Sequence, residues 1–341
     1  MMNYKLFGNS GLRVSEVSLG TITFGTDWGW GADEKECRSM FDAYAEMGGN
    51  FIDTANRYTE GSSERIVGDC IKSDRDHFVV ATKYTFFDRH GDVNYSGNHR
   101  KNMMRSVHES LKRLDTEYID ILWLHAWDYL TPVEEVMRGL DDLVRAGNVH
   151  YLGISDTPAW IVARANTLAE LRGWTAFCGL QIEYSLLERT PERELIPMAK
   201  TLGMTVTTWG PLGAGVLTGK YLKGESGRIP ENREHRNERG NRIASAVVAS
   251  AEKMGVTPAQ LALRWTMQQD FSSVPIVGSS NKKQLQDSLG ALNVTIPDDI
   301  MRKLDEISRV DLGFPHEFLS QEDTRNVIYG GMIDRIAQDK V

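Results

Sequence analysis

The sequence predicts an α/β protein that folds as one domain, residues 1–341, with the architecture of a (β/α)8 TIM barrel. Short runs rich in β-branched residues recur along the chain, and amphipathic segments with Ser, Thr, Asn or Asp at their starts separate them. Strands that are apolar on both faces and alternate with helices belong to parallel sheets, and eight such units favour a closed barrel over an open sheet. The eight runs lie at 17–21, 51–55, 78–83, 119–125, 149–155, 179–184, 204–209 and 273–278.

Three segments fall outside this repeat. Residues 1–16 contain a Gly-Asn-Ser-Gly turn between two short alternating runs, which predicts a β-hairpin that plugs the amino-terminal end of the barrel. Segment 210–241 is long, Gly-rich and charged, and we expect it to form a lid loop over a bound cofactor. Residues 312–341 mix aromatic and turn residues and form a carboxyl-terminal tail, a candidate border of the substrate pocket.

Composition narrows the classes of partner. With 41% apolar and 25% charged residues, the chain can bury a large core, and its net charge of −8 includes no basic stripe that would indicate nucleic acid or an anionic membrane. The three cysteines are far apart and lack metal-ligand spacing, so neither a disulfide framework nor a zinc site is predicted. No signal peptide and no apolar window of about 20 residues is present, and we expect a cytoplasmic protein with small-molecule partners. The oligomeric state is not indicated.

Titratable residues follow three neighbouring strands of the predicted barrel. Asp53 ends the second strand, Lys83 the third and His125 the fourth, while Tyr58 lies in the loop after the second. Active sites of such barrels collect at the carboxyl ends of the strands. A lone Lys or His there is more often structural, but four such residues together favour a catalytic site.

The residue types suggest proton transfer. A tyrosine has a pKa near ~10, and a neighbouring ammonium lowers that value by stabilising the phenolate. Lys83 is the candidate ammonium, and Asp53 would keep it charged and aimed. His125 would orient a substrate carbonyl or share the proton of Tyr58. With a hydride donor, these groups would complete the reduction of a carbonyl.

These residues lie in motifs that resemble those of the aldo-keto reductase superfamily over nearly the whole chain. The motifs are FIDTANRYTEGSSERIVG, VVATK and LWLHAWD, in the family's order and spacing. The resemblance implies that Tyr58 is the general acid, that Lys83 lowers its pKa, that Asp53 supports Lys83 and that His125 orients the carbonyl. It also implies hydride transfer from NADPH to an aldehyde or ketone, without a metal.

The resemblance also implies contacts to the nicotinamide end of the cofactor. Ser155 and Gln181 would hold the carboxamide, although Asp156 stands where an asparagine commonly follows that serine. Trp209 would stack on the ring, where many relatives have tyrosine. Each could instead be an ordinary strand-end residue. Further implied contacts are the backbone of Gly20 and Thr21 and, in the block TWGPLGAGVLTGKY, Gly210, Leu212, Gly213 and Gly215, with Lys220 as a weaker candidate.

The block PIVGSSNKKQLQDSLGALNV resembles the part of the family that receives the adenosine phosphate at a helix amino terminus. Gln284 replaces an arginine found in many relatives, which weakens strict preference for NADPH, and Lys282 or Lys283 either compensates or lies on a solvated helix face. We expect NADPH, with NADH as an alternative. The implied contacts are Gly278, Ser280, Asn281, Gln284, Asp287 and Ser288, the last two in place of the usual Glu-Asn pair near adenine.

The substrate is not indicated beyond a carbonyl compound. Aromatic residues near the predicted mouth suggest a pocket for an aromatic ring or a sugar face, although they could equally pack loops. The main hypothesis is an NAD(P)H-dependent carbonyl reductase. The alternatives are a cofactor-sensing regulatory subunit of potassium channels, which the resemblance also allows, and an alcohol or sugar dehydrogenase. The pocket candidates are Trp28, Trp30, Tyr84 and Trp127, with Phe24, Phe86 and Tyr129 nearby.

Overall fold

A closed barrel of eight parallel strands forms the centre of the molecule, and this confirms the predicted fold class. The computed structural model describes residues 2–225 and 235–336. An antiparallel hairpin, β1 (Tyr4–Leu6) and β2 (Arg13–Ser15), precedes the barrel. The barrel strands are β3 (Ser18–Gly20), β4 (Phe51–Asp53), β5 (Val79–Tyr84), β6 (Ile119–Leu124), β7 (Val149–Ser155), β8 (Phe177–Glu183), β9 (Thr205–Trp209) and β10 (Ser273–Gly278). Neighbours follow chain order, and β10 pairs with β3 to close the ring.

Helices alternate with the strands and surround them. Several begin where the sequence offers a capping side chain: Asp33, Asn237, Thr257 and Asn281 each accept a hydrogen bond from a backbone N–H three residues later. The helices are α1 (Glu34–Glu46), α2 (Ser62–Ile71), α3 (Arg100–Leu114), α4 (Val133–Arg145), α5 (Ala159–Arg172), α6 (Leu195–Thr201), α7 (Glu238–Met254), α8 (Pro258–Met267), α9 (Lys282–Leu289), α10 (Asp298–Ser308), α11 (His316–Ser320) and α12 (Glu322–Tyr329).

Side chains alternate between the barrel interior and the layer of helices. Along β5, Val79 and Ala81 belong to an interior cluster with Trp123, whereas Val80 belongs to the outer cluster that includes the helices. The outward Thr82 hydroxyl donates to Glu64 of α2 at 2.6 Å. Because the period of a strand is two residues, Lys83 faces inward with Val79 and Ala81.

The turn of the hairpin packs against the amino-terminal ends of the barrel strands. The Phe7 ring is fully buried and meets the rings of Phe51 and Trp123 edge to face, at centroid distances of 5.9 and 6.0 Å. Gly179 leaves room for it, because a Cβ there would lie 2.4 Å from the Phe7 ring. The opposite end of the barrel, where the strands finish, stays open for a site.

Two irregular segments differ from the sequence-based expectations. The segment 210–241 is not one loop, because 213–218 and 220–223 form 3-10 turns and α7 begins at Glu238. The middle of the expected lid, 226–234, lies outside the described residues. Helices α11 and α12 of the tail bury no residue, so the described part of the tail, 312–336, makes little contact with the barrel.

Within residues 2–225 and 235–336, no helix has the length and apolar character needed to cross a membrane. Over the same residues, no group of three or more His, Cys, Asp and Glu side chains is arranged to hold a metal ion.

Candidate active site

An ion pair between Lys83 and Asp53 lies inside the open end of the barrel. The Lys83 ammonium donates to Asp53 Oδ2 at 2.5 Å and to the carbonyl of Thr54 at 2.8 Å. The other carboxylate oxygen of Asp53 accepts from the Gln181 amide at 2.8 Å. Lys83 and Asp53 are only 1% and 2% exposed, so each charge depends on the other for compensation.

Tyr58 and His125 lie next to this pair. The Lys83 ammonium is 4.7 Å from the centroid of the Tyr58 ring, and the Tyr58 and His125 rings meet edge to face at 6.2 Å. The structure therefore brings together the four side chains that were predicted from their positions at the strand ends. Their catalytic roles stay a prediction.

The turn after Tyr58 has an uncommon backbone. Thr59 and Glu60 have φ values of 45° and 52°, and Gly61 has 87°, so three successive residues are left-handed. The Thr59 hydroxyl holds this turn by donating to the Phe24 carbonyl at 2.6 Å and accepting from the Ser63 N–H at 3.1 Å. Such strain persists only where surrounding contacts enforce it, and it is frequent at functional sites.

Left-handed backbone is concentrated at this end of the barrel. Among the described residues, eight non-glycine residues have positive φ, and only Asp115, at the end of α3, lies outside the segments that follow the barrel strands. The concentration marks the open end as the functional face. The other seven are Thr59, Glu60, Thr85, Tyr129, Asp156, Ala214 and His235.

The charges of the site follow from burial and from the ion pair. Burial lowers the pKa of Lys83, but Asp53 and Tyr58 more than reverse this, and the pKa lies above its usual value. Burial raises the pKa of Tyr58 and outweighs the opposing effect of Lys83. Lys83 lowers the pKa of Tyr58 as predicted, but burial is the larger effect and the net pKa lies above its usual value. Tyr58 holds its proton at neutral pH and Lys83 is charged.

His125 is neutral. Burial, followed by the charge of Lys83, lowers the pKa of His125 well below its usual value. Its Nδ1 atom is buried and has no hydrogen-bond partner among the described residues, and the Phe86 ring lies against the imidazole at 4.1 Å. A neutral imidazole can share a hydrogen bond with a substrate oxygen.

Two of the residues expected at the nicotinamide lie at the same depth as the ion pair. The Ser155 hydroxyl is buried and lacks a hydrogen-bond partner within the described residues, which fits a group that awaits a polar ligand such as a carboxamide. Gly20 allows close approach at β3, because a Cβ there would lie 2.6 Å from Ile276. The Gln181 amide nitrogen donates to Asp53, and the contact of Gln181 with a carboxamide stays a prediction. The Thr21 hydroxyl is also used, donating to the Asp53 carbonyl at 2.9 Å.

Trp209 is fixed at the mouth by Asp156. The indole N–H donates to Asp156 Oδ1 at 3.1 Å, and Asp156 has a φ of 41°. Asp156 has accessible surface but is surrounded by protein, and the resulting desolvation raises its pKa to about 6. The carboxyl group therefore holds the ring that was expected to stack on the cofactor.

The turn after β9 provides a glycine-lined surface beside Lys220. The N–H groups of Gly213 and Gly215 donate to the carbonyls of Gly210 and Leu212, at 2.8 and 3.0 Å, so these two groups are used within the turn. Gly215 has a φ of 93°, and a Cβ there would lie 2.9 Å from the Lys220 ammonium. The lysine thus lies over this turn, where its charge suits a phosphate.

The expected adenosine-phosphate site is at the start of α9. Asn281 caps the helix by accepting from the Gln284 N–H at 3.0 Å, and the Ser280 N–H donates to the Gln284 side chain at 3.1 Å. The Lys282 N–H donates to the Glu36 carboxylate at 2.6 Å. A carboxylate from α1 therefore already lies at this helix terminus. Gly278 is exposed nearby, at the end of β10.

Two residues expected to contact adenine make contacts within the protein or are buried, and their contact with adenine stays a prediction. Asp287 faces α8, where it accepts from Thr257 Oγ1 at 3.1 Å and from Gln260 Nε2 at 3.1 Å. Ser288 is buried. Both lie on the side of α9 that packs against the rest of the protein, with Ser288 buried and Asp287 partly exposed.

The aromatic candidates divide into buried and accessible residues. Tyr84 is wrong as a pocket residue: it is 1% exposed and belongs to the outer cluster, because it follows the inward-facing Lys83. Phe24 is fully buried, and Trp127 packs against the core. Trp28 and Trp30 remain accessible at the mouth, with ring centroids 5.5 Å apart.

The sequence reasoning missed the support around the ion pair. The Thr54 carbonyl and the Gln181 amide both contact it, and Phe86 covers His125. The alternation of side chains along its strand could have predicted that Gln181 faces the barrel interior. A backbone carbonyl at a strand end carries no signal in the sequence.

Comparison with known proteins gives consistent matches over most of the chain. The model of the Aldo/keto reductase family matches residues 16–309. A norsolorinic acid reductase of Aspergillus flavus is 36% identical over 333 residues, which cover 94% of this chain and 84% of that protein. An aryl-alcohol dehydrogenase (NADP+) of Phanerodontia chrysosporium is 36% identical over 342 residues, covering 94% and 89%. The aldo-keto reductase ausK of Aspergillus calidoustus is 36% identical over 329 residues, covering 91% and 83%.

Proposed function

Because this chain belongs to the aldo/keto reductase family, we propose that it is an oxidoreductase that reduces an aldehyde or ketone to an alcohol with a nicotinamide cofactor. The observation that carries the proposal is the buried Lys83–Asp53 ion pair beside Tyr58. It provides a tyrosine that holds a proton, a fixed positive charge to stabilise the phenolate and a neutral histidine beside them.

In the proposed reaction, the chain's own residues manage the proton. The bound nicotinamide supplies a hydride to the carbonyl carbon. Tyr58 donates its proton to the carbonyl oxygen, so that the product is a neutral alcohol. Lys83 stabilises the phenolate that remains, and Asp53 keeps Lys83 charged and aimed. His125, being neutral, hydrogen-bonds the same oxygen and orients the carbonyl.

We propose NADPH as the cofactor. The unpartnered Ser155 hydroxyl and the close approach allowed at Gly20 support a nicotinamide at the ion pair, and the position of Lys220 supports a phosphate. A relative named for NADP+ supports the choice of NADPH. NADH remains the alternative, because Gln284 lacks a charge and Glu36 lies at the start of α9.

A second candidate is oxidation of an alcohol by the same site in reverse. The relative named as an aryl-alcohol dehydrogenase favours it. The residues would keep their positions, with the Tyr58 phenolate, stabilised by Lys83, accepting the proton. Rates measured in both directions with both cofactors distinguish the two candidates.

The test compares Tyr58→Phe with a matched Tyr84→Phe control. Tyr58→Phe removes the hydroxyl of a half-buried residue, and Tyr84→Phe removes that of a buried one. The Tyr84 hydroxyl has no hydrogen-bond partner among the described residues and faces the helices, so its loss should not affect the site. We expect Tyr58→Phe to lower kcat for aromatic and aliphatic aldehydes by about 10²–10⁴-fold, the contribution typical of a general acid. Tyr84→Phe should keep wild-type rates, and both should bind NADPH as judged by tryptophan fluorescence. Tight cofactor binding without turnover by the wild type would instead favour a cofactor-sensing subunit.

A further inference from the structure

A cavity of about 410 Å³ lies beside the candidate active site and carries an unusual number of arginines. It lies between the segments after β4 and β5 and helices α2 and α3. Its lining includes three carboxylates, those of Glu60, Asp88 and Glu109, against five guanidinium groups. In a chain with a net charge of −8, this is a local excess of positive charge. The five are Arg57, Arg65, Arg89, Arg105 and Arg113.

Some of these arginines are neutralised and others are available. Arg113 is bound to the buried Glu64 at 2.5 Å, and Arg57 forms an ion pair with Glu60. Among the described residues, the ion-pair partner of Arg89 is Asp92, at a distance of 3.8 Å. Arg65 is exposed and forms no ion pair among the described residues. The unneutralised charge therefore comes from the α2 and β5 sides of the cavity.

Buried polar atoms without partners line the same cavity. Asn56 is 1% exposed; its amide donates to the Phe86 carbonyl at 3.1 Å, but its Oδ1 atom has no partner. Asp88 binds Arg105 through Oδ2 at 2.8 Å, which leaves Asp88 Oδ1 and Arg105 Nε unsatisfied among the described residues. Unsatisfied buried groups are rare in proteins and indicate a missing ligand or water. Here they comprise two acceptors and one donor, apart from Arg57 Nη1, which forms the ion pair with Glu60.

A tyrosine in the wall of the cavity contacts two of the arginines. The Tyr95 ring lies between Arg89 and Arg105, with both guanidinium carbons 4.0 Å from the ring centroid. Contact with the ring holds both planar cations in place, and planar cations bind oxyanions through paired hydrogen bonds.

We propose that this cavity binds a small hydroxylated oxyanion, that is, a phosphate, sulfate or carboxylate group with a neighbouring hydroxyl. The negative charge of the oxyanion balances the positive charge of the arginines, and its oxygen accepts a hydrogen bond from Arg105 Nε. A hydroxyl carries one hydrogen, so it donates to one of the two acceptors without partners, Asn56 Oδ1 or Asp88 Oδ1. The volume of the cavity suits a small molecule rather than a macromolecular surface. The Asn56 amide donates to the Phe86 carbonyl, and the Phe86 ring lies against His125. A ligand bound in the cavity would therefore lie close to the candidate catalytic histidine.

The test is isothermal titration calorimetry with glycerol 3-phosphate, inorganic phosphate and glycerol at constant ionic strength. NADP+ is present so that phosphate sites for the cofactor are filled. We expect one glycerol 3-phosphate per chain, weaker binding of phosphate and none of glycerol. Arg65→Met/Arg89→Met should weaken binding by about fivefold for each charge removed, since one unit-charge contact in water is worth roughly that factor.

The matched control is Arg172→Met/Arg302→Met, which removes two exposed arginines from α5 and α10. It should leave the affinity unchanged. Absence of glycerol 3-phosphate binding, or equal weakening in both double variants, would overturn the proposal. Inhibition kinetics then identify the source of the oxyanion: competition with the carbonyl substrate assigns it to the substrate, and a non-competitive pattern assigns it to a separate effector. Only this last measurement rests on the proposed function.

Discussion

Lys83 and Asp53 form an ion pair that is almost entirely shielded from water. Removing one partner leaves the other charge buried and uncompensated, so Lys83→Met should lower the free energy of unfolding by about 3–5 kcal/mol. Lys83→Met/Asp53→Leu removes both charges and should recover a large part of that loss. Urea unfolding followed by circular dichroism measures both values.

The same two variants separate stability from chemistry. Neither should reduce a carbonyl, because both lack the ammonium that stabilises the Tyr58 phenolate. A double variant that turns over at the wild-type rate would remove Lys83 from the mechanism, and one as unstable as the single variant would contradict the buried-charge argument.

Asp156 predicts a pH-dependent stability. Desolvation raises its folded pKa to about 6, above the value of the unfolded chain. Between the two values the folded state binds more protons than the unfolded state, so this group lowers the stability as pH rises through that window. Asp156→Asn should therefore be more stable than the wild type at pH 7 and close to it at pH 3.5. Asparagine also tolerates the left-handed backbone at this position. Equal differences at both pH values, measured by urea unfolding, would contradict the assignment.

At the residue scale, strand-end position predicted the four clustered side chains because parallel strands finish at one end of a barrel. Position within a strand explains the error at Tyr84, which follows an inward residue and so faces the helices. On α9, Asp287 accepts a hydrogen bond from Gln260 of α8, a contact that the sequence pattern did not indicate. The net pKa of Tyr58 depends on burial, which the sequence does not contain.

The amino-terminal hairpin predicts a local test at the element scale. Phe7→Ala removes a fully buried ring from contact with Phe51 and Trp123, and it should lower the free energy of unfolding by about 3–5 kcal/mol. Leu6→Ala, at a neighbouring residue that is 56% exposed, should cost far less. Urea unfolding checks both. Equal costs would show that the hairpin does not pack as described.

The kcat of Phe7→Ala should stay close to that of the wild type at temperatures well below its melting point. The ring lies at the amino-terminal end of the barrel, opposite the candidate site, and the distance limits coupling. A large loss of kcat with little loss of stability would contradict this separation.

Each of the eight predicted runs overlaps one barrel strand; the bounds agree at 149–155 and 273–278 and differ at the other six. The second, expected over 51–55, ends at Asp53, because the chain turns there toward Tyr58. The starts of several helices could be predicted from capping side chains such as Asp33 and Thr257. The segment 210–241 was misread as one loop because short 3-10 turns have no periodicity long enough to detect.

At the scale of the whole molecule, residues 312–336, the described part of the carboxyl-terminal tail, make few contacts with the barrel. Beyond Asp311, whose carbonyl accepts from Arg193, the described link is an exposed pair between His316 and Glu194. A chain that ends at Asp311 should therefore lose about 1 kcal/mol or less of unfolding free energy. Its KM for a carbonyl substrate should also stay unchanged. A raised KM at unchanged stability would instead support the sequence-based expectation that the tail borders the substrate pocket.

The central claim is that the whole barrel presents a bound nicotinamide and a protonated Tyr58 to one carbonyl. The most direct measurement is a single turnover with NADPH deuterated at C4 and an aromatic aldehyde, with the alcohol analysed by mass spectrometry. We predict one deuterium on the carbinol carbon with the wild type, and almost none with Tyr58→Phe despite unchanged NADPH binding. Wild-type protein that binds NADPH but yields no deuterated alcohol from a broad aldehyde panel would contradict the claim.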